Sequence, residues 1–554
     1  MQTDHGPDAV AVYLGNPVVH SLGALPHGVP LLRLIGSKNV FSATSLDQRP
    51  IHYVAWALFG HQFLIPVPDL DRASYLLVVG GNPMASNGSI MTSPDFPERM
   101  RQLKRRGGRL VVLDPRRTET AKIADEHVFI RLGTDAWVLL AMINALLSDD
   151  LATPAGYVAG VEHVAGAVAP FTLELAESVS CVPAATVRRL AREFAASRGA
   201  AAYGRLGVST QAHGTLCQWE LTCLNALTGN LDAEGGMMFT SPAVDVVGRD
   251  LISPGHHGRW TSRVRGAAEF AGELPAAVMA EEMTTPGDGQ VRALVTIAGN
   301  PVSSTPGGAA LGEAIDGLQF RVAIDPDINE TSPYADVILP PTGPLEREHY
   351  DVIFHLHAVR NTARWSPALF ERPATSRHDW EILRDLCLAI AERRRARLSR
   401  VEALKERAGS AAKEARWRIP PKATIDLLLR TGAARLSVAA LGRTAGGRDL
   451  GPLIEQLPER LRTQDRMVHL DHGPILEAIG QLAAAPPRVQ AEDELLLIGR
   501  RHQRDNNSWM HNPTRLIRGK ARHVALVHPD DLTYRGLASG RLRDRDLGRG
   551  VDPG

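Results

Sequence analysis

The feature that most constrains this chain is a strand-and-turn unit that occurs twice with the same residues at the same offsets. Residues 76–125 open with the apolar run Leu76–Val79 and stop at Gly80-Gly81-Asn82-Pro83. After a polar helical stretch a second apolar run, Leu110–Leu113, ends at Asp114-Pro115-Arg116-Arg117. Residues 294–301, LVTIAGNP, and 320–326, FRVAIDP, repeat the plan. Each copy then reads D-P-x-x-x-E-T-x-x-x-A-D, with Asp114, Glu119, Thr120, Ala124 and Asp125 matched by Asp325, Glu330, Thr331, Ala335 and Asp336. Short continuous apolar runs bounded by turn residues read as strands buried on both faces of a parallel sheet. Ligands of such sheets lie beyond the carboxyl ends of the strands, where glycines admit close backbone approach and free N–H groups can cradle phosphate. One copy would be ordinary in any α/β protein. Two copies sharing six identities at fixed offsets point to two related nucleotide-binding halves. A third strand-Gly-Asn-Pro, AVYLGNP, stands at 11–17.

A chain of 554 residues exceeds one ordinary core, so several domains are expected. The repeats predict two α/β domains with mostly parallel sheets, one from 41–285 and one from 1–40 joined to 286–395. The Arg-, Lys- and Glu-rich stretch from 394 to 420 reads as an exposed helix, and 396–490 as a connector or insertion. Residues 491–534 return to β-like sequence, so 491–554 is expected to be a partial β domain with an irregular tail. No G-x-G-x-x-G follows the strands, which argues against a nicotinamide enzyme.

Composition removes other classes. With 44% hydrophobic and 22% charged residues and net charge +1, the chain has no bias toward nucleic acid or anionic membrane. No apolar run approaches the ~20 residues that span a bilayer. The start, MQTDHGPDAVAV, carries no basic and apolar export signal, so a cytoplasmic location is expected. Cys181, Cys217, Cys223 and Cys387 are scattered without C-x-x-C, which argues against a disulfide framework, a structural zinc site or a cysteine-held iron–sulfur cluster.

Two further stretches carry candidate ligand groups. Between Gly204 and Gly214, the residues Gly207, Ser209, Thr210, Gln211 and His213 offer small and hydrogen-bonding side chains just before a helix. A packing turn is the plain alternative, but the set suits recognition of a polar ligand. Between the two last apolar runs lie Arg500, Arg501, Arg504, Asn507, Ser508, Trp509 and His511, a dense set of donors suited to phosphate and planar heterocycles.

Taken together, GGNP with LDPRRTETAKIAD, GRLGVSTQAHG with LTGNLDAEGG, GNPVSSTP with IDPDINETSPYADVILP, and IGRRHQRDNNSWMHN resemble the catalytic subunits of the molybdopterin oxidoreductase family. That group contains formate dehydrogenases, nitrate reductases and dimethyl sulfoxide reductase. The resemblance covers most of 1–395 and 491–540. It implies two pseudo-symmetric Rossmann-like domains plus a partial C-terminal barrel-like domain. The implied cofactor is a bis-molybdopterin guanine dinucleotide carrying molybdenum or tungsten, for two-electron redox or oxo transfer on a small-molecule substrate. By the same resemblance, Gly81, Asn82, Asp114, Arg116, Gly133 and Asp135 belong to one nucleotide site, and Gly299, Asn300, Pro301, Asp325 and Thr331 to the other. Gly207, Ser209, Gln211 and His213 approach pterin, His213 with a catalytic role, while Arg501, Asn507, Ser508 and His511 cover it. The protein ligand to the metal falls in Ser45-Leu46-Asp47-Gln48-Arg49-Pro50, with Asp47 as ligand and catalytic residue and Ser45 as the alternative. Oxygen ligands suit a hard, high-valent metal.

The chain departs from the family at both ends. It shows no Cys-rich iron–sulfur domain, so no iron–sulfur cluster is expected in it and a separate redox subunit (iron–sulfur or flavin) is. The other reading is a truncated, inactive remnant or binding protein on the same scaffold.

Overall fold

The structure, a computed structural model, describes residues 1–485, 491, 493–500, 502–504, 507–511, 513–519, 522 and 524–540. Residues 1–503 form one compact unit and the residues from 504 onward another. Nine strands build the two principal sheets: β1 (Val10–Leu14), β2 (Val40–Ser42), β3 (Tyr75–Val79), β4 (Arg109–Leu113), β5 (Glu126–Val128), β6 (Ala200–Gly204), β7 (Ala293–Ile297), β8 (Phe320–Ile324) and β9 (Val337–Ile338). The helices used below are α1 (Ala24–Ile35), α2 (Arg49–Phe59), α3 (Asp135–Ser148), α4 (Gly214–Leu227), α5 (Asp379–Arg395) and α6 (Gly473–Ala484).

One sheet has the order β5-β4-β3-β6 and the other β9-β8-β7-β1-β2, and every pairing in both is parallel. The apolar runs behave as their composition demands: all five residues of β3 and of β6 are buried. The registers align the strand ends. Val79 stands opposite Leu113 and Gly204, and Ile297 opposite Leu14 and Ile324. Asp114, Arg205 and the Gly80 turn therefore leave one edge side by side, and the Gly15, Ala298 and Asp325 turns leave the other. The two halves are thus separate parallel sheets, with the fold class expected from the repeat. The five-stranded sheet also takes in Val40–Ser42, and Phe41 bridges to Leu274.

Helix α3, DAWVLLAMINALLS, is apolar around nearly its whole circumference because helices cover it on several sides. In the other half α1 packs on α5, and buried His27 of α1 reaches the carbonyl of Trp417 at 3.2 Å.

Two expectations require correction. Residues 421–485, part of the 396–490 stretch read as a connector or insertion, pack into the core. Leu453, Leu461, Val468, Leu470, Ile475 and Ile479 are buried, and Trp219 of α4 donates its indole N–H to the carbonyl of Leu470 at 3.0 Å. Ile475 and Ile479 lie one turn apart on α6, but Leu453, Leu461, Val468 and Leu470 stand outside any helix, so their docking is set by tertiary contacts that spacing does not reveal. The β-like stretch 491–534 forms no strand among the described residues; it has short helical turns at Ser508–His511, Thr514–Ile517 and Pro529–Tyr534. Its run Leu495–Ile498 is exposed, Leu497 at 94%. A β-prone run needs neighbouring strands to bond its backbone, and none pairs with this one among the described residues.

Candidate active site

The repeated motif folds into the same small clasp twice. In each half the Gly-Asn-Pro turn starts a one-turn helix, Pro83–Ser86 or Pro301–Ser304, with proline at the first position, where its missing N–H leaves no bond unmade. Asn82 and Asn300, just before it, have nearly the same backbone angles (φ −130°, ψ 64° and φ −122°, ψ 65°). The Asn82 amide donates to Glu119 at 2.7 Å, and its oxygen accepts from the Thr120 hydroxyl at 2.9 Å. The Asn300 amide donates to Glu330, and its oxygen accepts from the Thr331 hydroxyl at 2.8 Å. Both threonine oxygens then accept a backbone N–H, from Met84 and from Val302, each at 3.1 Å. The E-T pair thus ties one strand-end turn to the next. The third copy differs: Asn16 is helical (φ −54°, ψ −36°), and a Cβ on Gly15 would fall 1.7 Å from the Ala298 carbonyl oxygen. Gly15 is a contact between strand ends rather than part of a clasp.

Beside each clasp lies a buried carboxyl. One oxygen of Asp114 accepts the Arg116 N–H at 2.8 Å, and one of Asp325 accepts the Asp327 N–H at 3.0 Å. Burial raises each from 3.8 to about 6. The first half adds further groups. Asp135, at the start of α3 beyond Gly133 (φ 76°), is buried, is pushed up to about 6 chiefly by that burial, and accepts from Gln211 at 2.7 Å. The Gln211 oxygen is itself buried with no partner among the described residues, and a Cβ on Gly133 would lie 4.0 Å from it. His213 precedes α4, its ring edge-on to Trp137 (centroids 5.3 Å apart), with burial lowering its pKa. The structure therefore gathers Asp114, Gly133, Asp135, Gln211 and His213 along one edge. Gly207 and Ser209 are used in packing: a Cβ on Gly207 would meet Gly80 Cα at 2.8 Å, and the Ser209 hydroxyl accepts from Gln218 at 2.9 Å.

Asp47 ends the one-turn helix Thr44–Asp47, just after β2. Its partner is Arg205, just after β6 on the other sheet. Arg205 is 4% exposed and donates to Asp47 Oδ2 at 3.2 Å and to the Asp47 carbonyl at 3.1 Å, with its Nε on Ser89 at 3.1 Å. Asp47 Oδ1 makes no hydrogen bond among the described residues, and the side chain is 27% exposed. The carboxylate thus bridges the edges of both sheets with one oxygen held and one open. Ser45 is engaged in the fold: its hydroxyl donates to the Ser42 carbonyl at 3.0 Å and accepts from the Ala276 N–H at 2.9 Å. No group of three or more His, Cys, Asp or Glu side chains is arranged to hold a metal ion among the described residues.

Of the C-terminal candidates, Arg501 lies outside the described residues. Asn507, Ser508 and His511 fall in and beside a single helical turn of the second unit. Sequence reasoning missed Arg205 as Asp47's partner, and it did not assign Glu119 and Glu330 to the clasps although the repeat contained them. A charged residue directly after a strand was the available signal for Arg205.

A profile of the molybdopterin oxidoreductase family matches residues 1–389. The assimilatory nitrate reductase catalytic subunit of Bacillus subtilis is 27% identical over 416 residues, covering 71% of this chain and 56% of that protein. Formate dehydrogenase H of Escherichia coli is 28% identical over 300 residues, 51% of this chain and 41% of that one. The dimethyl sulfoxide/trimethylamine N-oxide reductase of Rhodobacter capsulatus is 27% identical over 281 residues, 45% and 34% respectively. The chain thus spans about half the length, or less, of these relatives. In fold it is similar to the acetylene hydratase of Pelobacter acetylenicus, with TM-score 0.70 at 17% identity over 97% of this chain and 75% of that one. Among the described residues no helix is long and apolar enough to cross a membrane. With the match spanning both clasps and the Asp47–Arg205 bridge, the chain belongs to the molybdopterin oxidoreductase family.

Proposed function

We propose that this chain is the catalytic part of an oxidoreductase holding molybdenum, or tungsten, on two molybdopterin guanine dinucleotides. The observation that carries the reading is the doubled clasp with its buried carboxyl, one at each sheet edge. Gly81, Asn82, Asp114, Arg116, Gly133 and Asp135 would hold one nucleotide, and Gly299, Asn300, Pro301, Asp325 and Thr331 the other. Asp114 and Asp325 each have one oxygen fixed by a backbone N–H. With that bond kept, the two oxygens together suit the adjacent N1 and N2 donors of a guanine edge, a bidentate match for a carboxylate. The orphaned buried oxygen of Gln211 calls for a donor from a ligand. The Arg116 guanidinium makes no ion pair among the described residues and suits a phosphate. Gly207, Ser209, Gln211 and His213 are proposed along the pterin, with Arg501, Asn507, Ser508 and His511 from the C-terminal region.

When bound, the group supplies two-electron or oxo-transfer chemistry, and the protein sets orientation and electrostatics. Asp47 would offer Oδ1 to the metal while Arg205 fixes Oδ2, so the ligand is oriented before the metal arrives. Ser45, already twice bonded, suits that role less well. Reduction or oxidation of a small-molecule substrate requires electrons to leave or enter through a partner, so a separate redox subunit with iron–sulfur or flavin is part of the proposal. A cytoplasmic location is also part of it, supported by four free cysteines.

The test is Asp47→Asn in a host that makes the cofactor. The amide oxygen can still accept from Arg205, but the guanidinium loses its counterion, so the fold should survive with a lowered melting temperature. Turnover should fall by roughly a hundredfold or more, since even residues behind a metal ligand cost about 10–100-fold. Full activity in Asp47→Asn with loss in Ser45→Ala would move the ligand to Ser45. A wild-type chain without molybdenum or tungsten would favour the inactive or binding-protein reading.

A further inference from the structure

Two residues beyond Asp47, the first side chain of α2 opens into a cavity of about 300 Å³. It is walled by Arg49 and Tyr53 of α2, Thr215 at the start of α4, His257 and Phe270 of the hairpin His257–Thr261/Ala268–Phe270, and Ile475 of α6. The volume is at the lower end for small-molecule sites, about 300–1,000 Å³, and too small for a nucleotide.

Arg49 is the one arginine or lysine of that wall among the described residues, and its hydrogen-bonding capacity there is largely unspent. The guanidinium donates once, to the Glu273 carbonyl at 3.0 Å, while Nε is buried with no partner among the described residues. It makes no ion pair there. The neighbouring carboxylates Glu273 and Glu269 act on Arg49 through space but spend their hydrogen bonds elsewhere: Glu273 accepts from the Ser42 hydroxyl, and Glu269 takes the Arg259 and Gly272 N–H groups and His256. A half-buried guanidinium with open donors favours an anion, above all a planar one that accepts two parallel bonds.

Three other wall residues are aromatic, and Leu216, Ala268, Pro474, Ile475 and Ala478 add aliphatic surface. Tyr53 stands edge-on to His257 (5.2 Å, 83°) and tilted toward Phe270 (5.8 Å, 53°), with Ile475 closing the cavity from α6. Such rings favour offset or edge-on contact with another ring. A bare oxyanion would satisfy Arg49 and leave the aromatic surface unused. An organic cation would suit the rings and be repelled by Arg49.

We propose that this cavity binds a small aromatic carboxylate, its carboxylate on Arg49 and its ring against Tyr53 and Phe270. That this ligand is the substrate rests on the reading of Asp47 given above; that the cavity binds it does not.

The experiment is calorimetric titration of the full chain with benzoate, benzamide and formate. Benzoate should bind at least about tenfold more tightly than benzamide, which lacks the charge, and than formate, which lacks the ring. Arg49→Gln should erase the preference of benzoate over benzamide, and Phe270→Leu should erase that of benzoate over formate. Arg49→Lys, which keeps the charge but not the fork, should give an intermediate preference and serves if the glutamine variant does not fold. Formate binding as tightly as benzoate, or an unchanged benzoate-to-benzamide ratio in the Arg49 variant that folds, would overturn the proposal. Asp47→Asn separates the two readings: benzoate should still bind to it whatever happens to molybdenum content and turnover.

Discussion

The two halves place the same clasp on unlike sheets. In the first, β3 is buried throughout. In the second, Phe320 on β8 and Val337 and Ile338 on β9 are 44%, 39% and 38% exposed. The turns differ at one matched position. Gly80 has φ 56°, and Ala298 holds the same left-handed region at φ 48° with a side chain present. The clasp bonds are nevertheless nearly identical. The motif is therefore a local device: Asn, Glu and Thr fix the turn whatever packs behind it, and the surroundings decide only how much backbone strain the turn carries.

That contrast can be broken most severely at Gly80. A Cβ there would lie 2.7 Å from the Val208 nitrogen and 2.9 Å from the Gly207 carbonyl carbon, backbone atoms that cannot swing away. With about 1–2 kcal/mol for the left-handed conformation and about 1–3 kcal/mol for overpacking, Gly80→Ala should cost roughly 2–5 kcal/mol in denaturant unfolding. A cost below about 1 kcal/mol would show that the two strand-end loops separate easily.

The buried carboxyls give the next effect. Burial raises Asp114 and Asp325 above their unfolded value, so the stability associated with each is fully present below about pH 4 and lost as pH rises through about 6. In the cofactor-free chain, Asp114→Asn and Asp325→Asn should therefore raise stability at pH 8 and leave it nearly unchanged at pH 4. The gain is bounded near 3 kcal/mol, from about 1.4 kcal/mol per pKa unit. Melting curves at the two pH values check this. Gains of different size would show that the acidic neighbours, Asp135 beside Asp114 and Asp327 beside Asp325, weigh unequally on the two carboxyls.

The smallest effect is the converse of the first. Ala298→Gly removes a Cβ from a left-handed residue and should stabilise by about 0.5–1 kcal/mol, the glycine's extra freedom in the unfolded chain offsetting part of the relief. Equal or lower stability would mean that Ala298 is held there by packing worth more than its strain.

The clasp was legible because its parts are near neighbours in the chain and recur. G-N-P and E-T at fixed offsets are short-range constraints, and the apolar runs around them announced buried parallel strands. Arg205 was not legible as the partner of Asp47, since 158 residues separate them and the pairing depends on how the two sheets face each other. The same holds for Leu470 under Trp219, where one carbonyl and one indole meet across 251 residues. The stretch 491–534 misled in the opposite direction. Its β propensity is real, but propensity without neighbouring strands does not make a sheet.

The Asp47–Arg205 bridge limits how this position can be exchanged. If Asp47 is the ligand proposed above, exchanging it for Ser or Cys is more than one substitution. Here the outgoing side chain also neutralises a guanidinium that is 4% exposed, and stranding such a charge is costly. A serine has one oxygen for two duties, and a thiolate that turns to a metal leaves Arg205 without a counterion. Any lineage or designer changing Asp47 must therefore change position 205 in the same step, or accept an intermediate less stable than either end. Position 47 is coupled to a residue 158 positions away, and a survey of permitted ligands made one site at a time would miss every viable pair.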